Sequence, residues 1–368
     1  MQINTLKIMR VVAVVVVVGW GTGGARADWS FAILGDTCGD GITTTTGVSL
    51  YLNTIAQKIA QLNPDLVLVT GDLIDGPDIL TPSPLTYSEQ YTNWRTAMSP
   101  ITASNIALYS VRGNHDNNSH IPELKQDYYD AVGAFMPTNG PNNGPTNDQR
   151  GFTWSFAHSN ATFCALDQYF YYNQTSESGY HSIDQSWLSQ QLQAANTPYK
   201  IVMAHEPVFM TTGNPGEEHF FGTGADAEAR LTNFWGSLGA NGALLYLCCH
   251  VHALGVGLIH DDQGNGIYQL ISGNGGAPLE PITTNHDAGV EVLFTNGSNY
   301  GFALATVGTE KMTIDYYLLN SSDETWSKAS YTTTIFALPE PSGVILLVAG
   351  LLGSHARRRR PDCHRIPI

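Results

Sequence analysis

Residues 66–75 read Leu66-Val67-Leu68-Val69-Thr70-Gly71-Asp72-Leu73-Ile74-Asp75. Four apolar residues, two of them β-branched, run without a polar interruption, and a glycine and two aspartates follow almost at once. A short apolar run ended by turn residues is the pattern of a buried strand. A carboxylate just past such a strand stands where α/β folds build their ligand sites, at the carboxyl ends of the strands.

The same pattern recurs outward from this stretch. Trp29–Leu34 leads into Gly35-Asp36-Thr37-Cys38-Gly39, and Ile106–Val111 into Gly113-Asn114-His115-Asp116. Ile201–Ala204 leads into His205-Glu206-Pro207, and Ala243–Cys248 into His250-Val251-His252. Thr162–Leu166 is a further run of this kind. Between the runs lie helical patterns. Val48, Leu52, Ile55, Ile59 and Leu62 share one face ahead of Asn63-Pro64, and Ile183, Trp187, Leu188 and Leu192 share another. Residues 225–238 form a third helical pattern. Strands alternating with helices predict an α/β architecture. Beyond about residue 265 the chain becomes strand-rich (Val290–Phe294, Phe302–Val307, Met312–Leu319), which predicts a second sheet closing the domain. Residues 139–148 form a Gly/Pro/Asn loop. No linker interrupts residues 28–336, which read as one domain.

The two ends read differently. Residues 1–27 carry Lys7 and Arg10, an apolar run from Val11 to Val18, and Ala25-Arg26-Ala27. That order is a secretory signal peptide, with an uncleaved N-terminal anchor as the alternative. Residues 339–360 hold Pro339-Glu340-Pro341, an apolar run from Gly343 to Gly353 and the block Arg357–Arg360. This segment resembles the PEP-CTERM sorting signal of Gram-negative bacteria. The resemblance implies an exosortase-type processing partner and transient membrane contact through the C-terminal segment; a plain tail anchor is the alternative. An exported protein of the periplasm, cell surface or extracellular matrix is therefore expected.

Without its ends the chain is strongly acidic: residues 28–338 hold 9 basic and 30 acidic residues, a formal charge of −21. Such a surface repels polyanions and excludes a nucleic acid polymer as partner. Cys38, Cys164, Cys248 and Cys249 are too few for a disulfide scaffold of this size.

The polar clusters, in their order, carry the chemistry. GD, GNHD and H-x-H together make residues 29–275 resemble a calcineurin-like metallophosphoesterase. The resemblance implies a four-layer αββα sandwich, two mixed β-sheets flanked by helices. It further implies two divalent or trivalent metal ions, of iron, manganese or zinc. Asp36, Asp72 and His252 would hold one ion, Asn114, His205 and His250 the other, with Asp72 between them. Oxygen and nitrogen donors suit such ions. A metal-bridging hydroxide would attack a phosphomonoester or phosphodiester in line. His115 would assist the leaving oxygen, with Asp75 orienting it and Asp116 as the rival for that role.

Two positions depart from the family pattern. The third residue of the first motif, commonly histidine, is Cys38, and Asp75 stands where the related purple acid phosphatase branch has a tyrosine. Cys38 is thus a candidate thiolate ligand, with Asp40 a weaker candidate; the alternatives are an uncoordinated cysteine or a Cys38–Cys249 bridge. Cys249 replaces the glycine that usually precedes the H-x-H motif. Arg112 is either a phosphate contact or a solvated strand end, and Tyr169–Tyr172 line a substrate pocket or pack. The expected function is hydrolysis of a small phosphoester, with a catalytically weak or inactive surface or matrix binding protein as the alternative.

Overall fold

The computed structural model describes residues 28–39, 45–76, 85–117, 122–144, 148–170, 183–212 and 225–338. The signal peptide and sorting segment expected at the two ends, and Asp40, lie outside them. Among the described residues no helix is long and apolar enough to cross a membrane.

The apolar run before Gly71-Asp72 forms β2 (Leu66–Val69), flanked by β1 (Trp29–Leu34) and β3 (Ala107–Ser110). All three are parallel, with Phe31 opposite Leu66 and Leu66 opposite Ala107. Every side chain of β2 is buried, which explains its unbroken apolar run: both faces of a covered parallel sheet need apolar residues. A second group of strands comprises β4 (Trp154–His158), β5 (Ala161–Ala165), β6 (Tyr199–Met203), β7 (Leu245–Cys248), β8 (Leu254–His260), β9 (Gly266–Ser272) and β10 (Val290–Asn296). Last come β11 (Tyr300–Val307), β12 (Lys311–Asn320) and β13 (Thr325–Phe336).

The sheets do not divide where the sequence pattern suggests. One has the order β13-β12-β11-β1-β2-β3, the other β10-β8-β9-β7-β6-β5-β4. The C-terminal strands β11–β13 thus extend the first sheet, by antiparallel pairing of β11 with β1, and only β10 joins the second. Strand composition reveals that strands exist but not which distant edge each one pairs with.

Among the described residues six α-helices complete the fold: α1 (Leu52–Leu62), α2 (Tyr87–Ala97), α3 (Ser99–Ala103), α4 (Pro122–Ala131), α5 (Gln185–Ala194) and α6 (Ala225–Ala240). Alternation along the second sheet separates two cores. Ile201, Met203, Leu245 and Leu247 join Phe31, Ile33 and Leu68 between the sheets. Val202, Ala204, Tyr246 and Cys248 pack instead on Trp187 and Leu188 of α5 and Phe234 and Trp235 of α6. With α1 and α2 packed onto the first sheet's side of the core, the result is the expected pair of mixed sheets flanked by helices.

Local signals set the helix ends. Asn63 caps α1 in the left-handed region (φ 51°, ψ 56°), its amide returning to Ile59 and Ala60. Thr86 and Glu89 form a capping box at the start of α2. α2 is mostly polar but buries Gln90, Tyr91 and Trp94. Those three side chains reach the loops that follow β1, β2 and β3.

Candidate metal centre

Four side-chain atoms from four loops converge at the carboxyl ends of β2, β3, β6 and β7. His205 Nε2 lies 2.8 Å from Asn114 Oδ1, 3.2 Å from His250 Nδ1 and 3.3 Å from Asp72 Oδ2. His250 Nδ1 is 2.9 Å from Asn114 Oδ1. Atoms spaced in this way fit around one ion at roughly 2 Å from each donor. The second oxygen of Asp72 accepts the His115 amide at 2.8 Å. His205 Nδ1 faces the Thr70 carbonyl at 3.1 Å. A carbonyl only accepts, so Nδ1 carries the proton and Nε2 is left for the cluster.

The backbone is bent to achieve this. Asp36, Asp72 and His250 all have positive φ (51°, 51° and 72°). Non-glycine residues rarely adopt that region, and such strain gathers at functional sites. The space is equally tight: a Cβ on Gly113 would collide with the Asp72 carboxylate, and one on Gly71 (φ 114°) would lie 2.6 Å from His205 Nδ1.

Asp36 supplies the sharpest test of whether cations belong here. Both its oxygens are buried without an N–H or O–H partner among the described residues; the weakly donating thiol of Cys249 is what reaches it. Burial pushes its carboxyl well above the usual range, with His205 pulling down and Asp72 pushing up. A buried carboxylate without donors is costly, and a bound cation offsets that cost. Burial alone would also raise Asp72, but positive charge on His205 and His115 in the metal-free site holds it well below the usual carboxylate range, and a bound cation would take the place of the His205 Nε2 proton. Burial lowers His250 to about 4 and also lowers His252, so both are neutral imidazoles at neutral pH, the form that ligates metal.

The family model for calcineurin-like phosphoesterases matches residues 30–254. The chain belongs to that family. Its donors fit the metal-binding role that such a site requires. No curated protein matches it in sequence. Among solved structures it resembles a purple acid phosphatase, PPD1, from yellow lupin (Lupinus luteus) seeds, with 17% identity and a TM-score of 0.58. That match covers 84% of this chain and 53% of the lupin one, so the chain spans about half the lupin enzyme's length. PhoD gives 16% identity and a TM-score of 0.57, covering 88% of this chain and 74% of that one. GAP50, the anchor in the inner membrane complex of Plasmodium, gives 16% and 0.54, covering 86% and 91%. These likenesses show the shared fold.

Within this calcineurin-like site the candidate residues are not equally gathered. Asp72, His205 and His250 form one compact group, to which Asn114 adds its oxygen. Asp36 groups with His205 and Cys249. His252 and Cys38 join no group of that compactness among the described residues. His252 turns Nδ1 to the Pro278 carbonyl at 3.0 Å, leaving Nε2 free. The Cys38 amide donates to the Asp72 carbonyl, and its thiol is buried. Cys38 and Cys249 are both free, so the alternative of a bridge between them is not realised. The positive φ falls on His250, not on Cys249, which is how a cysteine is accommodated before the H-x-H motif.

His115 Nδ1 lies 2.8 Å from the main-chain oxygen of Asp75. Asp75 therefore holds the ring through its carbonyl, which fixes the proton on Nδ1. Asp116 does something else. Its carboxylate accepts from the Leu73 amide (3.1 Å), the Gly113 amide (3.0 Å) and the Tyr91 hydroxyl (3.1 Å), tying the loops after β2 and β3 to α2.

Arg112 is neither of the things its position suggests. It is buried and ion-paired to Asp167 at 2.7 Å, with Asn117 as a further acceptor at 3.1 Å. It joins the loop bearing Asn114 and His115 to the loop after β5. Arg112→Met is expected to lower stability by about 3–5 kcal/mol, because Asp167 is left charged, buried and unpaired; thermal denaturation measures it.

No motif marks Gln168, whose Oε1 accepts the amides of both His205 and Glu206 at 2.7 Å. The signal was available, since Asp167-Gln168 follow β5 as the other polar clusters follow their strands. Tyr169 is buried and donates to Glu206 at 2.5 Å, so it packs; Tyr171 and Tyr172 lie outside the described residues.

Proposed function

We propose that this chain is an exported phosphoester hydrolase that loads two metal ions and acts on a small phosphomonoester or phosphodiester. The observation that carries the reading is the convergence of Asp72, Asn114, His205 and His250 on one point. The Asp36 carboxylate beside them, with no N–H or O–H partner among the described residues, supports a second ion, with His252 as its further donor. Bound there, such ions supply Lewis acidity toward the phosphoryl oxygens and an acidified water as nucleophile.

The chain's own groups do the rest. Asp72 would hold metal through its carboxylate, and it accepts the His115 amide, which fixes where His115 begins. Because Nδ1 of His115 donates to the Asp75 carbonyl, Nε2 is the atom that delivers a proton to the leaving oxygen. Burial alone would lower the His115 pKa, but Asp72 and the Asp75 carbonyl outweigh it and raise the pKa above the usual histidine value. The ring is therefore protonated further toward neutrality, as a general acid requires. Export rests on the terminal segments, with exosortase-type processing and transient contact with a Gram-negative membrane.

The test is hydrolysis of p-nitrophenyl phosphate and bis(p-nitrophenyl) phosphate by the purified protein loaded with manganese, zinc or iron. Turnover of one ester supports the reading and assigns the substrate class. Bound metal with no turnover of either ester would select the alternative, a binding protein on this fold.

A further inference from the structure

Only nine basic residues lie in 28–338, and three of them gather in one place. β4 is antiparallel to β5, with Trp154 opposite Ala165. Phe152, just before β4, therefore lies at the same sheet end as Asp167 and Phe170, which follow β5. That is also the end at which the metal donors stand. The Arg112 guanidinium carbon is 5.0 Å from the centre of the Phe152 ring. The Lys125 ammonium, carried by α4, is 5.1 Å from the same ring and 3.5 Å from that of Phe170. Arg112 is neutralised by Asp167, and the exposed Arg150 by Asp148. Lys125 has no carboxylate within 4.0 Å among the described residues. A cavity of about 520 Å³ opens beside it, lined also by Tyr129, Asp148, Arg150 and Phe152.

A partly buried ammonium against aromatic faces has lost much of its water and gains more from an anion than an exposed lysine does. Across residues 28–338, whose formal charge is −21, an anionic substrate group is repelled almost everywhere else. We propose that this cavity receives the alcohol part of the phosphoester, and that Lys125 selects leaving groups bearing a second, planar anion such as an aryl carboxylate. The inference rests on the hydrolytic reading above. Burial lowers the Lys125 pKa to about 8. Arg112 adds to that, while Asp167 and Asp148 oppose it; Arg150 and Tyr129 also face the cavity. The ammonium is thus present at neutral pH and lost as pH rises through about 8.

The experiment compares 4-carboxyphenyl phosphate with phenyl phosphate on the metal-loaded protein, and 4-hydroxybenzoate with phenol by calorimetry on the metal-free protein. The kcat/KM ratio is expected to favour the carboxylated ester by about tenfold, the size of one charge-assisted contact. It should decline above pH 8 and fall to about one in Lys125→Met, which keeps the apolar stem. 4-Hydroxybenzoate should bind wild type more tightly than the variant. A ratio near one in wild type, or equal 4-hydroxybenzoate binding by both proteins, overturns the inference. Failure to hydrolyse either ester would overturn the hydrolytic reading instead, and the calorimetry still decides the role of Lys125.

Discussion

Asp72→Asn is expected to empty the centre of metal and to lower kcat/KM for any phosphoester by a factor on the order of 10³ or more, since metal-borne charge stabilisation is worth several kcal/mol. Asp72 is the residue on which the arrangement turns. One oxygen faces His205 Nε2 at 3.3 Å, the other accepts the His115 amide at 2.8 Å, and its φ of 51° is imposed by the turn after β2. Asparagine tolerates that backbone conformation and keeps an oxygen for the His115 amide. The substitution therefore removes charge while sparing the loop. Metal analysis after dialysis, alongside circular dichroism, separates the two: the spectrum should persist and the bound metal should not.

The second large effect is expected at His115. His115→Gln should lower kcat by about 10²–10⁴, the usual contribution of a positioned general acid, and leave metal content intact. The loss should depend on the leaving group. An alkyl phosphate, whose alkoxide must be protonated, should suffer far more than p-nitrophenyl phosphate, whose phenolate departs unaided. Equal losses on both esters would mean that His115 positions the phosphate and does not supply the proton.

The central strands and their polar ends were legible because parallel strands covered on both faces carry unbroken apolar runs, as in Leu66–Val69 and Leu245–Cys248. α2 was not legible. Its sequence, YSEQYTNWRTA, is polar on most faces, and only the folded chain reveals that Gln90, Tyr91 and Trp94 are buried. The pairing of β11 with β1 joins residues far apart in sequence, so no local pattern announces it. The site divides in the same way. Asp72, Asn114, His205 and His250 stand out as polar residues directly after strands. The contacts that steer them are tertiary: Gln168 on the His205 amide, the Asp75 carbonyl on His115, and the Cys249 thiol 3.1 Å from His205 Nδ1. The first motif places Cys38 as a candidate sulfur ligand, and the fold brings a second sulfur, that of Cys249, beside Asp36 and His205.

The most direct measurement is the metal content of the purified protein after equilibrium dialysis against manganese or zinc, with phosphoester turnover followed on the same samples. About two ions are expected to bind per chain, consistent with a paired-metal site, and turnover is expected to rise with occupancy and vanish on chelation. A wild-type protein that binds no metal under any loading, or that hydrolyses phosphoesters equally well after chelation, would contradict that expectation.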